Sequence, residues 1–117
     1  RAGARLIFNA DLTGSDHDIF YGLHSAITRQ DKNREPAGGW YPDQVMTPEE
    51  AVRGYSTWAA YAAFAEAEAG QIAAGRLADL TALSVDPLTL GATDPAALLA
   101  GRVHLAVVDG AVTFERR

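Results

Sequence analysis

The sequence predicts an α/β fold, and three patterns along its 117 residues support that prediction. Residues 5–9 contain three consecutive large apolar side chains, as a buried strand does. Further along, apolar residues recur at spacings of three and four, the period of an amphipathic helix. Near the end, two strand-like segments flank Asp109-Gly110, a dipeptide that favours a two-residue hairpin turn. The chain is therefore expected to form an α/β half followed by a β-rich tail.

The N-terminal strand pattern is followed by a polar loop and a helix. Continuous apolar character is typical of strands in parallel sheets, which are covered by helices on both faces. We therefore expect residues 5–9 to form a buried parallel strand. Residues 9–18 are rich in Asp, Ser, Thr and Gly, which predicts a loop. Apolar side chains at helical spacing then predict a helix over residues 19–29.

The clearest local signal is the start of a helix in the middle of the chain. Thr47 is a good N-cap, Pro48 suits the first helical position, and Glu50 completes a capping box with Thr47. A second helical piece is expected to begin at Ser56 or Thr57, either of which can cap it.

The last third of the chain carries the strand patterns. Residues 77–83 alternate in character and predict a strand. Residues 94–99 are expected to form a short capped helical turn. Residues 103–108 and 111–114 then flank the Asp109-Gly110 turn, which predicts a hairpin.

Composition excludes several classes of function. Ten Lys and Arg against fifteen Asp and Glu give a net charge of -5, which disfavours nucleic-acid binding because phosphate needs clustered cations. Without cysteine there is no disulfide framework, no thiolate nucleophile and no Cys-ligated zinc. The longest strongly apolar stretch is far shorter than the ~20 residues that span a bilayer. We expect neither a nucleic acid nor a membrane as partner.

The polar loop after the first strand pattern holds the candidate chemistry. Asp11 is the first carboxylate after the strand, where α/β proteins bind ligands, and it can ligate a divalent metal and accept a proton from metal-bound water. The alternative is that Asp11 caps the following turn. Asp16, His17 and Asp18 are a metal cluster or, by default, solvated loop charges. A dyad of Ser15 with His17 lacks the G-x-S-x-G context of a strained nucleophile turn.

Other candidate residues are isolated in the sequence. His24 in the first helix and His104 in a late strand are expected to be packed or exposed rather than to bind a metal. Trp40 and Tyr41 lie in a long loop between Gly-Gly and Pro, where they line a pocket or pack in the core. Trp40 and His17 are the candidate substrate contacts. No His-x-His pair is present, so the chain does not by itself provide the about three ligands of a hydrolytic zinc site.

Several motifs together resemble the amidohydrolase superfamily, in particular amidohydrolase family 3, the branch that includes N-substituted formamide deformylases. The resemblance covers nearly the whole chain. The motifs are Gly22-Leu23 with Ala26-Ile27-Thr28-Arg29, Gly38-Gly39-Trp40-Tyr41-Pro42, Gly70 to Leu80 in the pattern G-x-I-x-x-G-x-x-A-D-L, Asp86-Pro87-Leu88, and the closing Val107-Val108-Asp109-Gly110-Ala111-Val112.

The resemblance implies the C-terminal part of a metal-dependent hydrolase with a (β/α)8 barrel and an appended β-sandwich. Residues 1–69 would then be the last barrel strand and its helices, and residues 70–117 the tail that joins the sandwich. Such enzymes carry a metal-binding, proton-accepting aspartate after the last barrel strand. Ungapped alignment back from Gly22-Leu23 assigns that role to Asp11, whereas the letters Gly14-Ser15-Asp16 make Asp16 the fallback.

The resemblance also implies what the chain acts on and what it needs. The expected reaction is hydrolysis of an amide-type C–N bond in a small molecule, with a divalent metal, zinc by preference, whose other ligands lie outside these residues. The fragment alone is expected to be inactive and to need the remainder of the amidohydrolase chain or a homo-oligomer as partner. The alternative is a non-catalytic module for assembly or binding.

Overall fold

A computed structural model describes residues 3–11, 14 and 16–117, which contain helices, short 3-10 helices and a small sheet. Within these residues, α-helices cover Ile19–Thr28 (α1), Pro48–Tyr55 (α2), Thr57–Ala62 (α3) and Pro87–Thr93 (α4). Two 3-10 helices cover Pro42–Gln44 and Pro95–Ala100. Three strands cover Leu80–Leu83 (β1), Val103–Val108 (β2) and Ala111–Glu115 (β3). The fold is therefore a mixture of helix and strand, as the sequence predicts. No helix in the described part of the chain is long and apolar enough to cross a membrane.

The chain divides into two compact units. The first, the sheet unit, comprises residues 1–8, 53–84 and 102–117, and the second, the helical unit, comprises residues 9–52 and 85–101. The division predicted at residue 70 concerns the domains of a longer protein and stays a prediction.

The helical unit contains most of the buried side chains. Phe20 and Leu23 of α1 are buried, and Leu98 of the second 3-10 helix is completely inaccessible to solvent. A Cβ atom at Gly101 would overlap the Phe20 ring, so only glycine allows the chain to pass so close to α1. Gly91 of α4 is similarly tight, because a Cβ there would lie 2.8 Å from a side-chain carbon of Pro48. These contacts fix α1 against the segments that follow it much later in the sequence.

The sheet unit is built on antiparallel pairing in the order β1-β2-β3. Leu80 pairs with Val107, and Val107 also pairs with Val112. Each strand pair has one register shift, next to Leu83 in the first pair and between Ala106 and Val107 in the second. Asp109 and Gly110 both have positive φ, 51° and 76°, which confirms the predicted hairpin.

The predicted strand over residues 5–9 is wrong. This segment has no regular secondary structure, and Leu6 and Ile7 are about half exposed, at 53% and 50%. A strand needs a neighbour to pair its backbone groups. Within its unit, the segment makes one hydrogen bond of this kind, from the Phe8 amide to the Gly54 carbonyl. The Phe8 ring also lies 5.0 Å from the Tyr55 ring, and the Arg5 guanidinium carbon lies 3.9 Å from the centre of the Tyr61 ring. The segment is therefore attached by separate contacts rather than by a ladder.

The other predicted helices and strands are present with small changes of boundary. Two predicted caps are not formed, because the side chains of Ser56 and Asp94 make no capping hydrogen bond to α3 or to the second 3-10 helix. α1 ends at Thr28, because Arg29 adopts a left-handed conformation as its C-cap. The capping box is confirmed: the Glu50 amide donates to Thr47 Oγ1 at 3.2 Å, and the Thr47 amide donates to Glu50 Oε2 at 2.9 Å. The strand expected over residues 77–83 begins only at Leu80. α4 was not predicted.

Candidate functional site

Asp11 lies in a turn rather than at the end of a strand. Asn9 Oδ1 accepts a hydrogen bond from the Asp11 amide at 2.7 Å, and the Asp11 carbonyl accepts one from the Gly14 amide. Asp11 itself adopts a left-handed φ of 45°, which aspartate tolerates better than most residues. The local turn chemistry of Asn9 and Gly14 therefore holds Asp11, and the predicted strand-end position is corrected.

The Asp11 side chain is exposed. Among the residues that the structure describes, neither carboxylate oxygen of Asp11 has a hydrogen-bond or ion-pair partner. A Cβ atom at Gly14 would lie 2.9 Å from Asp11 Oδ2, so any other residue there would crowd the carboxylate. Both oxygens are therefore available to a ligand.

The other two carboxylates of this loop are already engaged. Asp16 Oδ2 lies 3.6 Å from Lys32 Nζ, and Asp16 Oδ1 accepts from the Asp18 amide at 3.1 Å. Asp18 is the N-cap of α1, where its Oδ1 accepts from the Phe20 amide at 2.9 Å. Asp18 is thus a capping residue. Asp16 and Asp18 fit the expectation of structural or solvated loop charges better than Asp11 does.

The described residues contain no group of three or more His, Asp or Glu side chains close enough to hold a metal ion. The cluster hypothesis for Asp16, His17 and Asp18 is therefore not supported, and His17 is exposed. Ser15, the other member of the dyad hypothesis, lies outside the described residues. Among the described residues, the Asp11 carboxylate can provide one ligand to a metal ion, which is fewer than a metal site needs.

His24 is a packed residue. Its side chain is fully buried in the helical unit, with Nδ1 3.0 Å from the Pro95 carbonyl oxygen. Because a carbonyl only accepts, Nδ1 carries a proton and donates it. Nε2 lies 3.4 Å from Thr28 Oγ1, whose own proton goes to the His24 carbonyl at 2.8 Å. His24 therefore joins α1 to the second 3-10 helix, while His104 in β2 is exposed.

The loop that carries Trp40 is held by its own hydrogen bonds. Asp31 Oδ1 accepts from the amides of Asn33 at 2.8 Å and Glu35 at 3.0 Å. The bond from the Glu35 amide is the largest cause that lowers the pKa of Asp31. The Trp40 amide donates to the Arg29 carbonyl at 2.9 Å, and this bond ties the loop to the end of α1. Trp40 is 61% exposed, so it does not pack in the core.

Comparison with known proteins identifies the family. The sequence profile described as "Amidohydrolase family" matches residues 1–114. The chain belongs to the amidohydrolase family. A relative, "Putative amidohydrolase YtcJ" of Bacillus subtilis (strain 168), is 29% identical over 99 residues, which are 85% of this chain and 18% of that protein. No solved structure matches significantly. The chain thus spans less than a fifth of the length of the curated relative.

Positions of the amidohydrolase motifs have local structural reasons. Gly70 adopts a φ of +84°, and a Cβ there would lie 2.7 Å from Ala60 Cβ. Asp79 Oδ1 accepts from the Asp109 amide at 2.8 Å and so holds the hairpin turn. Asp86 caps α4, with its Oδ1 accepting from the Leu88 amide at 2.9 Å. These motif residues therefore build the frame of the fold, and Asp11 remains the candidate for chemistry.

In the sequence, Arg29 is the last residue of the motif Ala26-Ile27-Thr28-Arg29, and no local pattern assigns it a ligand. The structure places its guanidinium carbon 4.9 Å from the centre of the Trp40 ring. Arg29 lies next to the amidohydrolase motif Gly38-Gly39-Trp40 because the chain reverses direction between Arg29 and Trp40, which are eleven residues apart. No short-range sequence pattern predicts this reversal.

Proposed function

We propose that this chain is the C-terminal part of a metal-dependent amidohydrolase that cleaves an amide-type C–N bond of a small molecule. Membership of the amidohydrolase family supports a hydrolase. The observation that carries the mechanistic part is the Asp11 carboxylate, which is exposed, unpaired among the described residues, and kept clear of side-chain atoms by Gly14. A carboxylate in that state can ligate a cation and take up a proton.

In the proposed mechanism, one Asp11 oxygen serves as a ligand of a divalent metal, zinc by preference. The metal, when bound, supplies a Lewis acid that activates water. The Asp11 carboxylate accepts the proton of the attacking water and returns it to the leaving nitrogen, as a general base and then a general acid. Asp16 is the fallback for this role, but its ion pair with Lys32 makes it the weaker candidate.

The remaining metal ligands are proposed to lie in other parts of a longer chain. Because the chain spans 18% of the related protein, most of an enzyme of that length would lie outside these residues. We propose that the 117 residues alone are inactive and that the remainder of the chain, or further copies in a homo-oligomer, completes them. The exposed apolar side chains of the sheet support such a partner, since Val108, Val112 and Phe114 are 54%, 61% and 43% exposed.

The resemblance of the motifs to N-substituted formamide deformylases suggests the first substrates to assay. We propose small N-substituted formamides, compared with the matching acetamides. If the longer protein hydrolyses neither the formamides nor the acetamides, that result would contradict the amide-type reaction. Residual hydrolysis by the 117-residue chain alone would contradict its proposed inactivity.

The decisive experiment replaces Asp11 by Asn in the longer protein. Asp11→Asn is nearly isosteric but cannot accept the proton, so we expect turnover to fall by about 10²–10⁴-fold and bound metal to decrease. Asp16→Asn is the matched control and is expected to leave turnover within about twofold. Unchanged turnover and metal content in Asp11→Asn would refute the assignment, and loss of both in Asp16→Asn alone would transfer the role to Asp16.

A further inference from the structure

Arg29, Trp40 and Tyr41 form an exposed cluster on the helical unit, named here the Arg–Trp cluster. The Arg29 guanidinium carbon lies 4.9 Å from the centre of the Trp40 ring. The Tyr41 ring meets the Trp40 ring edge-on, with centroids 4.7 Å apart and an interplanar angle of 83°. Trp40 and Tyr41 are nevertheless 61% and 59% exposed. A large aromatic surface beside a cation is thus presented outward rather than used in the core.

The geometry of the cluster is fixed by the backbone. The Trp40 amide donates to the Arg29 carbonyl, and Arg29 Nε donates back to the Trp40 carbonyl, each at 2.9 Å. A Cβ atom at Gly39 would overlap the Thr28 carbonyl oxygen, so glycine is needed for the loop to approach the end of α1 this closely. Two reciprocal hydrogen bonds and one obligatory glycine therefore hold the aromatic surface in place before any ligand arrives, which lowers the entropy lost on binding.

Among the described residues, no carboxylate compensates the charge of Arg29. In the part of the chain that the structure describes, neither Nη nitrogen of Arg29 has a hydrogen-bond partner, and no carboxylate lies within ion-pair distance of it. Nε is already used by the Trp40 carbonyl, so the free donors are those at the far end of the guanidinium. That end can form two parallel hydrogen bonds with a planar carboxylate, whereas a single-point anion would use only one.

We propose that the Arg–Trp cluster is a binding site for small molecules that carry a carboxylate next to an aromatic or other flat apolar group. The carboxylate pairs with the Nη donors of Arg29, and the flat group packs on Trp40 and Tyr41. This proposal rests on the proposed function for its biological meaning: the amine part of the formamide or acetamide would carry the carboxylate. Binding itself requires neither the metal nor Asp11.

The test uses the fact that the chain has two tryptophans. In a Trp58→Phe background Trp40 is the sole indole, so its fluorescence reports this site. We expect phenylacetate to change that fluorescence with a Kd in the millimolar range, and phenylacetamide and acetate to bind about tenfold more weakly or not at all. Equal binding of phenylacetate and phenylacetamide, or no response to phenylacetate, would overturn the proposal.

Two variants localise the effect to Arg29. Arg29→Gln is expected to remove the preference for phenylacetate over phenylacetamide, because it removes the charge and the paired donors. Arg34→Gln lies in the same loop and is the matched control, expected to keep that preference within about twofold. Circular dichroism of each variant checks that helix content is unchanged. Loss of the preference in Arg34→Gln but not in Arg29→Gln would contradict the assignment.

The outcomes separate this site from the proposed reaction. Asp11→Asn is expected to leave phenylacetate binding unchanged while it lowers turnover in the longer protein by about 10²–10⁴-fold. If Asp11→Asn kept hydrolysis but phenylacetate still bound, the reaction assignment would fail and the binding site would stand. A second copy of the chain as occupant would give self-association in sedimentation that Trp40→Ala abolishes, and that result would overturn the small-molecule proposal.

Discussion

The helical unit and the sheet unit are stabilised in different ways. The helical unit buries Phe20, Leu23 and Leu98 between segments that are distant in sequence. In the sheet unit, the strands are paired by hydrogen bonds, but every residue of β3 is exposed. Ala60 is a buried hydrophobic residue of that unit, and it is small. One unit is therefore held by apolar burial and the other chiefly by backbone pairing.

This difference shows what each unit needs from its surroundings. A burial-based unit loses much of its stability when one core side chain is shortened. A paired sheet with an exposed apolar face is less sensitive to such changes and gains stability when another surface covers it. The difference between the two units predicts unequal responses to matched substitutions.

The largest expected difference is between two leucines. Leu98→Ala in the helical unit removes a completely buried side chain and is expected to lower the free energy of unfolding by about 2–5 kcal/mol. Leu80→Ala in β1, where the side chain is 38% exposed, is expected to cost about 1 kcal/mol or less. Chemical denaturation followed by circular dichroism measures both. An equal cost at the two positions would remove the distinction between the units.

The elements that could be predicted from sequence are those fixed by local chemistry. Thr47 and Glu50 specify the start of α2 within four residues, and Asp109-Gly110 specifies its turn because both positions need positive φ. The predicted strand over residues 5–9 is wrong because an apolar sequence indicates that side chains are buried, but it does not show whether a neighbouring strand is available for backbone pairing. Among the described residues, the Phe8 amide alone in this segment donates to a strand-like acceptor, the Gly54 carbonyl.

The assignment of the candidate site to Asp11 stays a prediction, and the structure adds local geometry that the sequence does not show. The sequence places Asp11 after an apolar run. Its exposure depends on the turn made by Asn9 and on the space that Gly14 leaves beside the carboxylate, and a residue pattern shows neither. α4 is absent from the sequence prediction, although Asp86 followed by Pro87 is typical of a helix start as well as part of an amidohydrolase motif. The contact between Arg29 and Trp40 could not be predicted from the sequence because it depends on how the loop between them folds.

A smaller difference is expected for two threonines. Thr47→Ala removes the capping box of α2 and is expected to cost about 1 kcal/mol. Thr113→Ala in β3 removes one hydrogen bond, from Oγ1 to the Ala106 carbonyl at 3.2 Å, on an exposed strand, and is expected to cost less than half as much. Thr47→Ser is the control that keeps the capping oxygen. Chemical denaturation of the three variants ranks them, and a cost for Thr47→Ser equal to that for Thr47→Ala would exclude the cap as the cause.

The smallest expected effect is a loss of stability of the helical unit in acid. Hydrogen bonds lower the pKa of Asp86, chiefly that from Thr89 Oγ1, and the pKa of Asp31, chiefly that from the Glu35 amide. A carboxyl group whose pKa is lower in the folded chain than its ordinary 3.8 stabilises the fold while ionised. That contribution is present above pH 3.8 and is lost as the pH falls through the lowered value.

Asp86→Asn and Asp31→Asn test this contribution, because Asn keeps the size of the side chain and, at Asp86, a capping oxygen. Thermal unfolding from about pH 6 to about pH 2 should show a shallower acid decline in each variant than in the parent, and the shallowest decline in the double variant. Asp43→Asn is the control, since among the described residues the Asp43 carboxylate has no hydrogen-bond partner. If the double variant declined as steeply as the parent, these two carboxylates would not be the source of the acid sensitivity of the helical unit.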